Sequence, residues 1–130
     1  MSTPRQQIVA AAIPAPRGHF SHAVRAGDSV YVSGMLALDA KGAVRHPNDI
    51  ARQTRAIFAS LAEILEVAGG QMSSVVQLTT YVTDITARGP VNDIRVELFG
   101  STRPASTLVE VSALAAPGAV VEIDAIAVIG

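Results

Sequence analysis

The sequence predicts an α+β domain in which one mixed sheet carries two helices on a single face. Short segments rich in β-branched residues are interspersed with two stretches of helical periodicity. Two such helices cover one side of a sheet and leave the other bare. Apolar residues make up 49 % of the chain and charged residues 16 %, below the ~25 % charged share usual in a soluble domain. The bare face is therefore expected to be covered by further copies of the same chain. At 130 residues the chain suits one domain, 1–130, large enough for one core and too small for two.

From Ile8 to Ile13 the residues are apolar and partly β-branched until Pro14, Pro16 and Gly18 interrupt them. This predicts a short strand running into a loop. Ser21–Arg25 and Ser29–Ser33 flank Ala26, Gly27 and Asp28, where glycine takes positive φ at little cost, and read as a β-hairpin. Gly34 and Met35 lead into a polar connection through Asp39, Lys41, Gly42 and Pro47.

A helix follows, with Asn48 as its cap, Asp49 in its first turn, and Ile50, Thr54, Ile57, Phe58, Leu61, Ile64, Leu65 and Ala68 on one stripe. Gly69 and Gly70 stop it. Val75–Val82 is dense in β-branched residues and alternates imperfectly, as in a strand covered on both faces. Pro90 opens a second helix through Phe99, ended by Gly100. Strands over Ser106–Val111 and Ala119–Ile129 complete the order, joined by a loop holding Pro117 and Gly118.

A net charge of −1 supplies no cationic field for a phosphate backbone, so nucleic acid is not an expected partner. The absence of cysteine excludes disulfides, thiolate chemistry and Cys-bound metal. The start of the chain lacks the unbroken apolar centre of a signal peptide, and no window approaches a membrane span. A cytoplasmic protein is expected.

His19, His22 and His46 show no metal-ligand spacing, so no metal and no other cofactor is expected. His19 and His22 lie in a glycine-containing loop, where a pocket role and simple exposure weigh about equally. Glu122 sits between Val121 and Ile123 in the most apolar segment, with Asp124 on the same strand face. A carboxyl group there is paired, solvated, or raised in pKa and suited to acid–base work, and periodicity alone favours the solvated face. Glu110 lies between two valines without polar neighbours. Asn92, near the start of the second helix, is expected to cap rather than face a ligand.

Several segments, in order and over nearly the whole chain, resemble the reactive intermediate deaminase (RidA/YjgF) family. Gly18-His-Phe-Ser-His-Ala-Val24 is similar to its G-P-Y-S-Q-A-V opening, and Val30-Tyr-Val-Ser-Gly34 to its V-F-V-S-G-Q strand. Gln53-Thr-Arg55, Val91-Asn-Asp-Ile94 with Phe99-Gly100, Pro104-Ala-Ser-Thr107 with Val109-Glu-Val111, and Val121-Glu-Ile-Asp-Ala-Ile-Ala127 follow in family order. The resemblance implies a chorismate-mutase-like fold, a barrel-like homotrimer and small-molecule clefts between subunits. It further implies hydrolysis of enamines or imines such as 2-aminoacrylate to 2-keto acids and ammonia.

Carried over residue by residue, Glu122 matches the water-activating glutamate, Ser33 a pocket serine and Asn92 a pocket asparagine. Phe20 stands where the family has tyrosine, Met35 where it has glutamine, and His22 replaces another glutamine. Leu108 completes the expected lining with Ser106. Ser106 occupies the place of the carboxylate-binding arginine, and a hydroxyl cannot supply a charged fork. Arg103, or His19 and His22, are conceivable substitutes, although a surface role is the plainer expectation for Arg103. Two functions follow: a Rid-type deaminase with an altered substrate, or a non-catalytic trimer that binds a small molecule or a partner protein.

Overall fold

The computed structural model describes residues 4–130; Met1 to Thr3, part of the polar start of the expected 1–130 domain, lie outside the described residues. Strands β1 (Arg5–Ile8), β2 (Ala23–Ala26), β3 (Ser29–Met35), β4 (Val75–Val82), β5 (Ala105–Glu110) and β6 (Val121–Val128) form one sheet, with helices α1 (Ile50–Ala68) and α2 (Gly89–Phe99) between them. The strand order is β1-β2-β3-β6-β4-β5. Every pairing is antiparallel except that of β4 with β5, which α2 connects. The sheet is mixed, as expected, and the last strand lies inside it.

Helix α1 begins at Asp49, whose Oδ1 accepts the amide hydrogen of Arg52 at 3.1 Å. Asn48, the expected cap, instead takes a left-handed φ of 61°, a conformation asparagine adopts more readily than most residues. Gly69 closes the helix with φ at 92°. The apolar stripe of α1 is buried through Ile57, Phe58, Leu61, Ile64 and Leu65 against Val30, Leu78, Val121 and Ile123 of the sheet. Each such aliphatic side chain contributes roughly 1.5–3 kcal/mol relative to exposure. Phe58 meets Phe99 of α2 edge to face with ring centroids 5.7 Å apart.

Among the described residues, the sheet's other face carries no helix. Along β6 Val121, Ile123, Ala125 and Ala127 are buried under the helices, whereas Glu122, Asp124 and Ile126 are half-buried and Val128 is exposed on the opposite side. In β4 only the face holding Leu78, Thr80 and Val82 is covered in the single chain, and a register break between Val75 and Gln77 accounts for the imperfect alternation. The first strand also differs from expectation: it spans Arg5–Ile8, where pairing with β2 stops, because the amide of Ala10 is taken by the ring of His22 instead of by a strand. No helix among the described residues is long and apolar enough to cross a membrane.

Candidate functional site

Between β3 and β6 the register slips: Val32 lies opposite Ala125 and Met35 opposite Ile123. Two residues, Ser33 and Gly34, therefore face one, a β-bulge of the kind that re-aims side chains. The carboxyl group of Glu122 settles directly over Gly34, where a Cβ would overlap its Oε1. Burial, and secondarily the negative charge of Asp124 on the same face, pushes the Glu122 pKa above the ordinary glutamate range. Asp124 itself accepts a hydrogen bond from the Tyr81 hydroxyl at 2.9 Å. That bond, ahead of burial, raises the tyrosine pKa.

Glu122 opens into a cavity of about 600 Å³ whose lining includes Phe20, His22, Ser33, Gly34 and Met35. Its volume suits a small organic molecule. Phe20 is 53 % exposed at its edge. The Ser33 hydroxyl donates to the Ser21 carbonyl at 2.7 Å, which fixes the side chain beside the bulge. His22 is buried. Its Nδ1 accepts the amide hydrogen of Ala10 at 2.9 Å, so Nε2 carries the proton and donates to the Pro14 carbonyl at 2.9 Å. With both nitrogens used, His22 serves the cavity by holding the loop that supplies Ile13 and Pro14 to its wall.

The other residues singled out from the sequence gather elsewhere. Asn92, Arg103 and Ser106 line a second cavity of about 290 Å³, together with Leu78, Arg95 and Phe99. Asn92 does not cap α2; it lies inside the helix, its amide bonded to the Arg88 carbonyl at 3.2 Å. Leu108, opposite Thr80 in the register, is half-buried against the core and lines neither cavity. Arg95, which no motif in the sequence singles out, donates from Nη1 to Ser106 Oγ at 2.6 Å and from Nη2 to Asn92 Oδ1 at 3.4 Å. The three-residue step from Asn92 along a helix was the available signal. No cluster that could hold a metal ion exists among the described residues.

A family model described as "Endoribonuclease L-PSP" matches residues 10–129. The chain belongs to the Rid (YjgF/RidA) family. Among Rid relatives, the 2-iminobutanoate/2-iminopropanoate deaminase of Bos taurus is 36 % identical over 126 residues, covering 97 % of this chain and 91 % of that one. The solved structure of YyfA, a conserved Rid family protein from Yersinia pestis, superposes with a TM-score of 0.90 at 34 % identity, covering 97 % of this chain and all of that one. RidA from an Antarctic Psychrobacter gives 0.88 at 34 % identity, covering 95 % and 99 %. These Rid structures share the mixed sheet and the pair of helices found here.

Proposed function

We propose that the protein is a Rid-type deaminase that hydrolyses a small imine or enamine to a carbonyl compound and ammonia, in clefts formed between the subunits of a homotrimer. The observation that carries this reading is Glu122, a carboxyl group of raised pKa seated over the bulge at Gly34 and facing a cavity of about 600 Å³. A group that gains and loses a proton nearer to neutrality can take one from water as the oxygen attacks the imine carbon. It can then return that proton to nitrogen, giving a carbinolamine, and pass the hydroxyl proton to nitrogen in turn, so that the C–N bond breaks with ammonia leaving as the C=O bond forms. An enamine first accepts a proton on carbon to become the imine.

The division of the site supports the trimer. Phe20, Ser33 and Glu122 line one cavity, and Asn92, Arg103 and Ser106 line another. Within one chain these groups do not converge, whereas abutting copies would set one cavity against the other. Rid proteins are typically homotrimers, and the exposed Tyr31, Val109 and Val128 supply apolar area for such contacts. A net charge of −1 favours a small molecule over nucleic acid.

The replacement of the expected arginine by Ser106, with apolar Phe20 and Met35 in the lining, is the specific support for a second reading as a non-catalytic binding trimer. Turnover separates the two. Ammonia release should exceed the spontaneous rate when the protein meets imines generated by an amino-acid oxidase, and Glu122→Gln should abolish the excess. Absence of any excess over a panel of imines and enamines, with small carbonyl compounds still bound, would establish the binding protein instead.

A further inference from the structure

We infer that Arg95 grips the carboxylate of the ligand, taking over from helix α2 the task that the strand position of Ser106 cannot perform. The inference rests on the proposed small-molecule site and deepens it by naming the residue that would hold the acid end of a short 2-imino or 2-oxo acid. The guanidinium of Arg95 reaches the second cavity and ends 2.6 Å from Ser106 Oγ. A cation thus stands beside the position where a longer basic side chain would otherwise begin.

The arginine is prepared for an anion and has none among the described residues. Glu97, two residues along α2, is held by Arg55, whose Nη1 and Nη2 donate to its carboxylate at 2.6 and 3.3 Å. Asp93, two residues before Arg95, projects from another side of the helix. Among the described residues Arg95 makes no ion pair, and its hydrogen bonds go to the neutral oxygens of Ser106 and Asn92. Leu78, Val96, Phe99 and Pro104 surround it with apolar surface, and burial draws its pKa down while an arginine still keeps its charge. A partly desolvated, uncompensated guanidinium in a cavity attracts an anionic group strongly.

The donor count fits a carboxylate. Two of the five N–H donors of the guanidinium are spent on Ser106 and Asn92. Those two acceptors fix the plane of the fork, and the donors left over are enough for a two-point grip, the geometry in which arginine holds carboxylates best. Arg103 lines the same cavity from an exposed position and adds positive charge at its mouth.

The probe is 2-oxobutanoate, with 2-butanone as the same molecule without its carboxylate, titrated calorimetrically into the wild-type oligomer and Arg95→Met. The variant should bind 2-oxobutanoate roughly 10- to 100-fold more weakly, the worth of a charge-assisted two-point contact. Affinity for 2-butanone should be the same in both proteins. Should Arg95→Met fail to fold, Ser106→Asp sets a carboxylate beside the guanidinium and should weaken 2-oxobutanoate by the same order. Equal binding of 2-oxobutanoate by the wild type and either folded variant, or no binding by the wild type, overturns the inference. Arg95-dependent binding without imine turnover leaves Arg95 in place and removes the deaminase reading; imine turnover indifferent to Arg95→Met does the reverse.

Discussion

Glu122 rests its carboxyl group on the backbone of Gly34, at the one place in β3 where the register with β6 slips. The seat exists because Gly34 has no Cβ; its φ lies outside the left-handed region, so what the position requires of glycine is space, not conformation. Gly34→Ala should therefore leave the fold almost unchanged and push the carboxyl group aside. Displacement of a catalytic group by about 1 Å can cost 10²-fold, and a loss of that order in kcat/KM with a Tm within a few degrees of wild type is expected. Unchanged turnover in the alanine variant would mean that the position of Glu122 is not critical.

The raised pKa of Glu122 has two consequences of opposite sign. Activity that needs the carboxylate should appear on an acid limb lying above the ordinary glutamate value of 4.5, and Asp124→Asn, which removes a neighbouring negative charge, should shift that limb to lower pH. For stability, the folded state holds the proton more tightly than the unfolded chain. The contribution of Glu122 is thus fully present below 4.5 and is lost as pH rises through its folded value. Glu122→Gln should melt at a higher temperature than wild type at pH 7, and the gap should close below pH 4.5. A gap that widened in acid would reverse the assigned direction.

The sequence made Glu122 conspicuous because a carboxyl group inside Val121-Glu-Ile-Asp-Ala125 breaks an apolar run, and the structure places it on the bare sheet face. Helix α1 was readable for a similar reason: its stripe, its acidic start and its glycine stop agree with one another. Arg95 carried no such contrast. On a short helix with several charges it looks like any solvated charge, and its meaning depends on a contact with Ser106, eleven residues away on another element. The first strand was misplaced because the apolar content of Ile8–Ile13 concealed the demand of the His22 ring for the Ala10 amide. Hydrogen bonds between a side chain and a distant backbone group leave no periodicity to read.

An intersubunit cleft requires the helix-free face to be covered. In solution the protein should have three times the 13.4 kDa mass of its chain. Val109 lies on that face of β5, opposite Tyr81 in the register, and is 38 % exposed in the single chain. A charge placed there costs little in an isolated subunit and several kcal/mol if the site is sealed by a neighbour. Val109→Asp should yield a folded species of lower mass by light scattering, with turnover lost in parallel. A mass of 13.4 kDa for the wild type would remove the interface, and a Val109→Asp trimer would place the contact elsewhere.

Gln53 ties the helix to the strand that carries Glu122, and it does so fully buried. Its Nε2 donates to the carbonyls of His46 at 2.9 Å and Gly118 at 2.8 Å, and its Oε1 accepts from the Val120 amide at 3.0 Å, immediately before β6. Gln53→Leu keeps the bulk and strands these backbone groups without partners, at a cost of roughly 3–5 kcal/mol. Gln53→Glu should be worse at neutral pH, since an ionised carboxylate faces two carbonyl oxygens that it cannot donate to and carries an unpaired charge into the interior. Denaturant melts should rank wild type above Gln53→Leu and Gln53→Leu above Gln53→Glu, with Gln53→Glu recovering as acid protonates it. A Gln53→Leu variant as stable as wild type would show that other contacts hold the entry to β6, and that this buried amide is dispensable.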